Sequence, residues 1–90
     1  MATKKVKEIK QDDYVYIGDL IKIGKAWMPG YKGVAFGEDE LNDSFFVYAD
    51  NMWLLVEEVE LWGDENVYVG CEECEFVANK DEVVEYTTDL

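Results

Sequence analysis

The chain of 90 residues contains no histidine and no arginine. Without histidine it lacks the side chain that most often moves protons near neutral pH and most often binds transition metals. Without arginine it lacks the planar guanidinium that grips phosphates and guanine edges with two parallel hydrogen bonds, which argues against direct reading of nucleic acid. Proline occurs once, at Pro29, and cysteine twice, at Cys71 and Cys74. Two cysteines make no disulfide framework and supply only half of a four-ligand zinc site. No apolar run approaches the roughly 20 residues that cross a bilayer, and the opening MATKKVKEIK has no apolar segment of signal-peptide type. The expectation is a cytoplasmic protein without a membrane partner.

Positive charge is also scarce over most of the chain. Residues 1–32 hold seven of the eight lysines against four acids, whereas residues 33–90 hold Lys80 alone against seventeen. The net charge of −13 is therefore concentrated in the second part, at −16. Such a surface repels a phosphate backbone, so no direct nucleic-acid partner is expected. The charge has two readings: solubility alone, or imitation of nucleic acid before a basic partner.

What the chain has is aromatic and apolar residues. Three Trp, six Tyr and four Phe within 49% apolar residues exclude a disordered acidic tail and provide the core of one domain. The stretch Ser44–Leu61 organises the reading. Phe45–Ala49 and Met52–Val56 are β-favouring runs separated by Asp50 and Asn51, the spacing of a two-residue hairpin. One face of that hairpin carries Phe45, Val47, Leu54 and Val56, and the other Phe46, Tyr48, Trp53 and Leu55. Neither is polar, so the hairpin is covered twice or offers an aromatic face to a partner. A single helix over 52–62 is the competing pattern, since Leu54, Leu55, Glu58 and Leu61 also fit a helical face.

Around it, residues 1–10 read as a flexible basic lead-in, or as an edge strand through Val6 and Ile9. Residues 14–24 read as a strand with a bend or bulge at Gly18-Asp19. Residues 26–33 read as a loop through Pro29-Gly30, and 34–36 as a short strand. Residues 57–59 are expected to turn tightly, with a 3₁₀ turn as one form, before a short strand at 60–62, with Val59 and Leu61 buried. Val67–Cys71, Glu75–Ala78 and Glu82–Thr87 read as three further strands, the last two joined by a hairpin turn at Asn79–Asp81. A helix over 80–86 is the alternative at that end.

Residues 17–62 resemble a small SH3-like barrel of the KOW kind. The resemblance lies in Gly18-Asp19 opening a strand, the glycines Gly30 and Gly33, and the closing Glu57-Glu58-Val59-Glu60-Leu61. It implies a mainly β fold: an SH3-like barrel over 11–62 with a C-terminal β-hairpin extension over 63–90. In KOW proteins it implies contact with RNA or with a transcription or translation complex. Here the loop that would touch nucleic acid keeps only Lys25 and Lys32 among acids.

The motifs point away from catalysis. Cys71 and Cys74 form a C-x-x-C spacing whose intervening glutamates raise thiol pKa values, and the pair reads as unreacted thiols with at least one in the core. Metal shared between two chains through Glu72, Glu73 and Glu75 is the other reading. The acid groups Glu38–Glu40 with Asp43, Glu57–Glu58 with Glu60, and Glu72–Glu73 with Glu75 lack the spacing of a calcium loop. No pocket signal or activated nucleophile accompanies them, so neither an enzyme nor a cofactor is expected.

The reading that results is a non-enzymatic acidic protein that blocks a basic nucleic-acid-binding surface of a partner protein. In size and charge it is similar to viral, phage-type inhibitors of host nucleases, restriction enzymes or CRISPR effectors, which would act in the host cytoplasm. Trp27 and Tyr31, or the face of Tyr48 and Trp53, would anchor the partner. Glu38, Asp39, Glu40, Asp43, Glu72, Glu73 and Glu75 would supply the mimicking charge. An accessory module of a transcription or translation complex, and a structural or assembly protein, are the alternatives; a homodimer is compatible with each.

Overall fold

The computed structural model describes residues 2–18, 20, 25–27, 53–72 and 74–90. Within them the chain is mainly β, with seven strands: β1 (Ala2–Lys5), β2 (Tyr14–Tyr16), β3 (Ala26–Trp27), β4 (Leu54–Trp62), β5 (Asn66–Cys71), β6 (Glu75–Asn79) and β7 (Val83–Thr87). They form one antiparallel sheet in the order β1-β7-β2-β4-β5-β6-β3. The hairpin turn at Asp50-Asn51 and the strands at 34–36 and 45–49 lie outside the described residues.

β4 ties the two halves of the sheet together. Its start pairs with β2, Leu55 opposite Tyr14 and Leu54 opposite Val15, and the remainder pairs with β5. Val56 faces Cys71 and Glu58 faces Gly70, so Glu57 is an extra residue in a β-bulge. The tight turn expected at 57–59 is therefore absent, and β4 runs without a break to Trp62. The physical reason is alternation. Without the bulge, Glu58 and Glu60 would share the core side with Val56; absorbing Glu57 turns them outward and brings Val59 and Leu61 to that side. Val59 nevertheless is only half-buried and Leu61 is 70% exposed, contrary to the expected burial of both, because the strand runs beyond the core there.

Three other expectations change, and a fourth, the strand near the C-terminal end, holds against its helical alternative. The strand over 14–24 stops at Tyr16, and the chain is helical at Gly18 and Leu20. Ile17 and Leu20, three residues apart, both point into the core, which a helical turn allows and an unbroken strand does not. Ala26–Trp27, expected in a loop, forms an edge strand whose Ala26 fits beside Ala78. Asn79–Asp81 does turn, with the Asp81 N–H donating to Asn79 Oδ1 at 2.9 Å. It joins no hairpin, however, because β7 leaves β6 to pair with β1 and β2. Residues 83–87 form this strand, not part of a helix over 80–86.

The basic lead-in does form an edge strand, β1, but over Ala2–Lys5 and not through Val6 and Ile9, which lie in and just after a 3₁₀ turn at Val6–Glu8. Val6 and Ile9 belong to the core with Val15, Ile17, Leu54, Val69 and Phe76. Backbone hydrogen bonds from Val6 to Glu82, Lys7 to Lys80 and Lys80 to Glu65 draw this turn, the β6–β7 connection and the β4–β5 turn together. The sheet thus curls so that both halves face one core. Asp13, 1% exposed, pairs with the Lys4 ammonium and accepts from the Lys10 N–H at 3.0 Å.

Candidate functional site

The face of β4, β5, β6 and β3 turned away from the core carries both aromatic rings and carboxylates. Strand register fixes its members. Glu58 and Glu60 stand opposite Gly70 and Tyr68, Val77 lies between Tyr68 and Trp27, and Glu75 faces Gly70. Trp62 stacks on Tyr68, with ring centroids 5.0 Å apart and planes 9° from parallel, and its ring is tilted 6.4 Å from Trp27. These rings explain why Val77 is only 1% exposed although it is not part of the core cluster. Trp62 itself stays 38% exposed on top of the row.

The carboxylates hold this surface in place. The Tyr68 hydroxyl donates to Glu75 Oε2 at 2.5 Å, and Trp62 Nε1–H donates to Glu60 Oε1 at 2.8 Å. The phenol of Tyr68 is pushed well above the usual tyrosine range, first by its hydrogen bond to Glu75, then by burial, then by the charges of Glu75, Glu58 and Glu60. Gly70 is what allows the close approach. A Cβ there would stand 2.9 Å from Glu58 Cγ and 3.2 Å from the Tyr68 hydroxyl.

Among the described residues, no lysine pairs with Glu58, Glu60 or Glu75. The lysines gather elsewhere: Lys5 and Lys7 reach Asp81 at 3.8 and 3.6 Å, Lys25 reaches Glu82 at 3.4 Å, and Lys4 pairs with Asp13. The opposed charges of the two parts of the sequence thus partly cancel at one end of the fold and leave the aromatic face acidic. Exposed pairs of this kind contribute roughly 0–1 kcal/mol each, so they sort charge more than they stabilise.

Of the anchors expected from sequence, Trp27 lies on this face, half-buried and packed against the core. Trp53 does not join it; its ring lies 5.7 Å from Tyr16. Glu75 is in the face, and Glu72 is exposed in the bend after β5. Tyr31, Glu38, Asp39, Glu40, Asp43, Tyr48 and Glu73 lie outside the described residues. Trp62, Tyr68, Glu58 and Glu60 were not singled out as partner contacts from sequence. Their signal was the alternation Glu58, Glu60, Trp62, which a turn at 57–59 conceals.

The Cys71 thiol is buried and held strongly in its protonated form by a hydrogen bond with Cys74, by burial, and by the nearby Cys74 and Glu57. Such a thiol is a poor nucleophile. Among the described residues no three side chains of His, Cys, Asp or Glu converge on a metal position, and no helix is long and apolar enough to cross a membrane. Comparison with protein-family models, curated proteins and solved structures finds no match for this chain.

Proposed function

We propose that the protein is a non-enzymatic binding protein whose acidic sheet face occupies a basic, nucleic-acid-binding surface of another protein. One observation carries this reading: Glu58, Glu60 and Glu75 surround Tyr68 beside an exposed Trp62, with no lysine paired to them among the described residues. A strand presents carboxylates at every second residue about 6.6 Å apart, a row to which several cations can bind at once. The stacked rings add a rigid apolar centre of the kind that anchors interfaces, and aromatic faces also attract cations. Occupation of a nuclease or other defence enzyme by a viral, phage-type inhibitor is the biological setting that such a surface suits.

The experiment is capture of partners from a cell extract on the immobilised chain, challenged with duplex DNA and with salt. Nucleic-acid-binding proteins should be retained, and then released both by DNA and by raising ionic strength, because exposed charges are screened over about 8–10 Å at 0.10–0.15 M. The combined variant Glu58→Lys, Glu60→Lys and Glu75→Lys should retain none. If that variant captures the same proteins while Trp62→Ala loses them, the charge serves solubility only. The second reading, an accessory module of a transcription or translation complex, draws on the KOW resemblance and on β4, which among the described residues joins both halves of the small sheet. It requires direct RNA or DNA binding by the isolated chain, with affinity falling steeply as salt rises.

A further inference from the structure

We propose that Cys71 and Cys74 are a reversible disulfide site: the two thiols, free in this structure, join across the end of the β5–β6 hairpin when a small-molecule disulfide of the glutathione type oxidises them. This goes beyond the binding reading above and does not depend on it.

The backbone sets the pair up. Val69 faces Phe76 and Gly70 faces Glu75, so the next rung is Cys71 opposite Cys74, and the Cys71 N–H donates to the Cys74 carbonyl at 2.7 Å. Opposed residues of a hydrogen-bonded rung have Cα atoms about 5.5 Å apart, within the roughly 4.4–6.8 Å that a disulfide spans. Side-chain direction agrees. Val69 and Phe76 both point into the core, and Cys71 and Cys74 stand two residues from them along the same strands, so alternation sends both thiols to that side. Cys71 belongs to the core cluster there, and Cys74 packs against it half-buried. The two side chains are in hydrogen-bond contact. The end of the hairpin is tied to β4 as well, through the Glu72 N–H donating to the Leu55 carbonyl at 3.0 Å.

The two cysteines take different parts in the exchange. Cys74, half-buried, is the one that a reagent in water meets. Its thiolate attacks one sulfur of the oxidant, which breaks the oxidant's S–S bond, forms a mixed disulfide and releases one thiolate. Cys71 is closed to direct attack by its burial, and its thiol is held protonated, first by the hydrogen bond to Cys74 and then by burial and by nearby charge. In the mixed disulfide Cys74 carries no negative charge, so the hydrogen bond and the repulsion that kept Cys71 protonated both weaken. Cys71 then loses its proton to water, and its thiolate attacks Cys74 Sγ and expels the second thiolate of the oxidant. Two protein thiols have given up two electrons, one S–S bond of the oxidant has been reduced, and the two protons end on the released thiols. Because the second step is intramolecular, proximity compensates for the small thiolate fraction of Cys71. The ring closed in this way contains only four residues. A cross-link stabilises more as its loop lengthens, so this bond adds little to the fold and a dithiol reductant reverses it.

The test uses the full chain in mixtures of oxidised and reduced glutathione at about pH 8, quenched with acid and read by mass spectrometry. The folded chain should become lighter by two hydrogen atoms, with the link mapped to Cys71 and Cys74 by digestion, and dithiothreitol should restore both thiols. Cys71→Ala should stop with glutathione attached to Cys74. Cys74→Ala should react at least about tenfold more slowly than the native chain, because buried Cys71 must then be attacked directly. Near-ultraviolet circular dichroism of the Trp62–Tyr68 stack shows whether each variant is folded. Where one is not, the product and rate of the native chain decide. Glutathione accumulating on Cys74 of the native chain without ring closure would overturn the proposal. So would oxidation no faster than global unfolding, or disulfides formed only between chains.

Discussion

Replacing Lys4 by Met isolates one buried interaction, because the stem of the side chain is kept and the ammonium removed. In the native chain that ammonium pairs with Asp13 and lies 4.2 Å from the centroid of the Tyr86 ring. Asp13 is 1% exposed, so Lys4→Met strands a carboxylate that, among the described residues, keeps the Lys10 backbone N–H at 3.0 Å as its partner. Removing one partner of a buried pair costs about 3–5 kcal/mol, because the desolvated charge left behind is uncompensated. At roughly 0.05–0.15 kcal/mol per residue a domain of this length has about 5–13 kcal/mol in total, so the variant should lose from roughly a quarter to all of it. Asp13→Asn should cost less, on the order of 1–3 kcal/mol: its amide oxygen still accepts from Lys10, and the flexible Lys4 can turn toward water. The double variant should be more stable than Lys4→Met alone, since it no longer buries a lone charge. Urea and thermal unfolding followed by tryptophan fluorescence measure all three, with about 4–8 °C of Tm expected per kcal/mol. A loss below about 1 kcal/mol for Lys4→Met, or a double variant as unstable as the sum of the singles, would refute the argument. It would mean that water reaches Asp13 and that β1 is not tied to the fold through it.

Tyr68 should remain protonated where an ordinary tyrosine, with a pKa of about 10, ionises. In a tyrosinate absorbance titration Tyr68→Phe should remove amplitude only from the alkaline end; loss of amplitude near pH 10 would contradict the Glu75 hydrogen bond. The sign for stability follows from the folded pKa lying above the unfolded one. The Tyr68 contribution is complete below pH 10, declines as pH rises past the unfolded value, and is absent in Tyr68→Phe. For the cysteines, a thiol reagent at pH 8 should modify Cys71 only at the rate of unfolding, while Cys71→Ser together with Cys74→Ser should fold at a cost of about 1–3 kcal/mol. Rapid modification of Cys71 in the folded chain would show that its burial is not as described.

How much was legible in the sequence differs from strand to strand. Val67–Cys71 and Glu75–Ala78 alternate between breaks at 63–66 and around Glu72–Cys74, and β5 and β6 lie within a residue of the expected bounds. Local signals suffice there because each strand is next to its partner in sequence. For β7 the strand was legible but its partners were not. Val83 pairs with Lys5 and Tyr86 with Val15, and nothing local in 83–87 encodes contacts so distant in sequence. Nothing local in sequence marks Asp13 for burial, which depends on Lys4, brought near by the β1–β7–β2 pairing. The candidate face was half legible. Trp27 and Glu75 were named, but Trp62 and Tyr68 meet diagonally across a hairpin whose first strand had been divided by an expected turn.

That misread turn leads to one further prediction, because a bulge and a turn respond oppositely to losing a residue. The chain reads Val-Glu-Glu-Val-Glu-Leu from Val56 to Leu61, and the doublet breaks a pattern that is otherwise strictly alternating. With the bulge, Val56 faces Cys71 and the next paired residue, Glu58, faces Gly70. Those partners are neighbours on β5, so deletion of Glu57 leaves a regular ladder with every later pair and every side-chain direction preserved. What is lost is the local bend and added twist where β4 passes from β2 to β5. The deletion variant should therefore fold, keep Trp62 stacked on Tyr68, and lose roughly 1–3 kcal/mol at the junction around Val56 and Cys71. A tight turn at 57–59 has no spare residue, and shortening it would separate the segments on either side. Near-ultraviolet circular dichroism reports the Trp62–Tyr68 stack, and thermal unfolding reports the cost. Loss of the aromatic signal with unfolding at room temperature would show that residues 57–59 are a required turn. Retention of both would show that the acidic face depends on one extra glutamate only for its curvature, and not for its register.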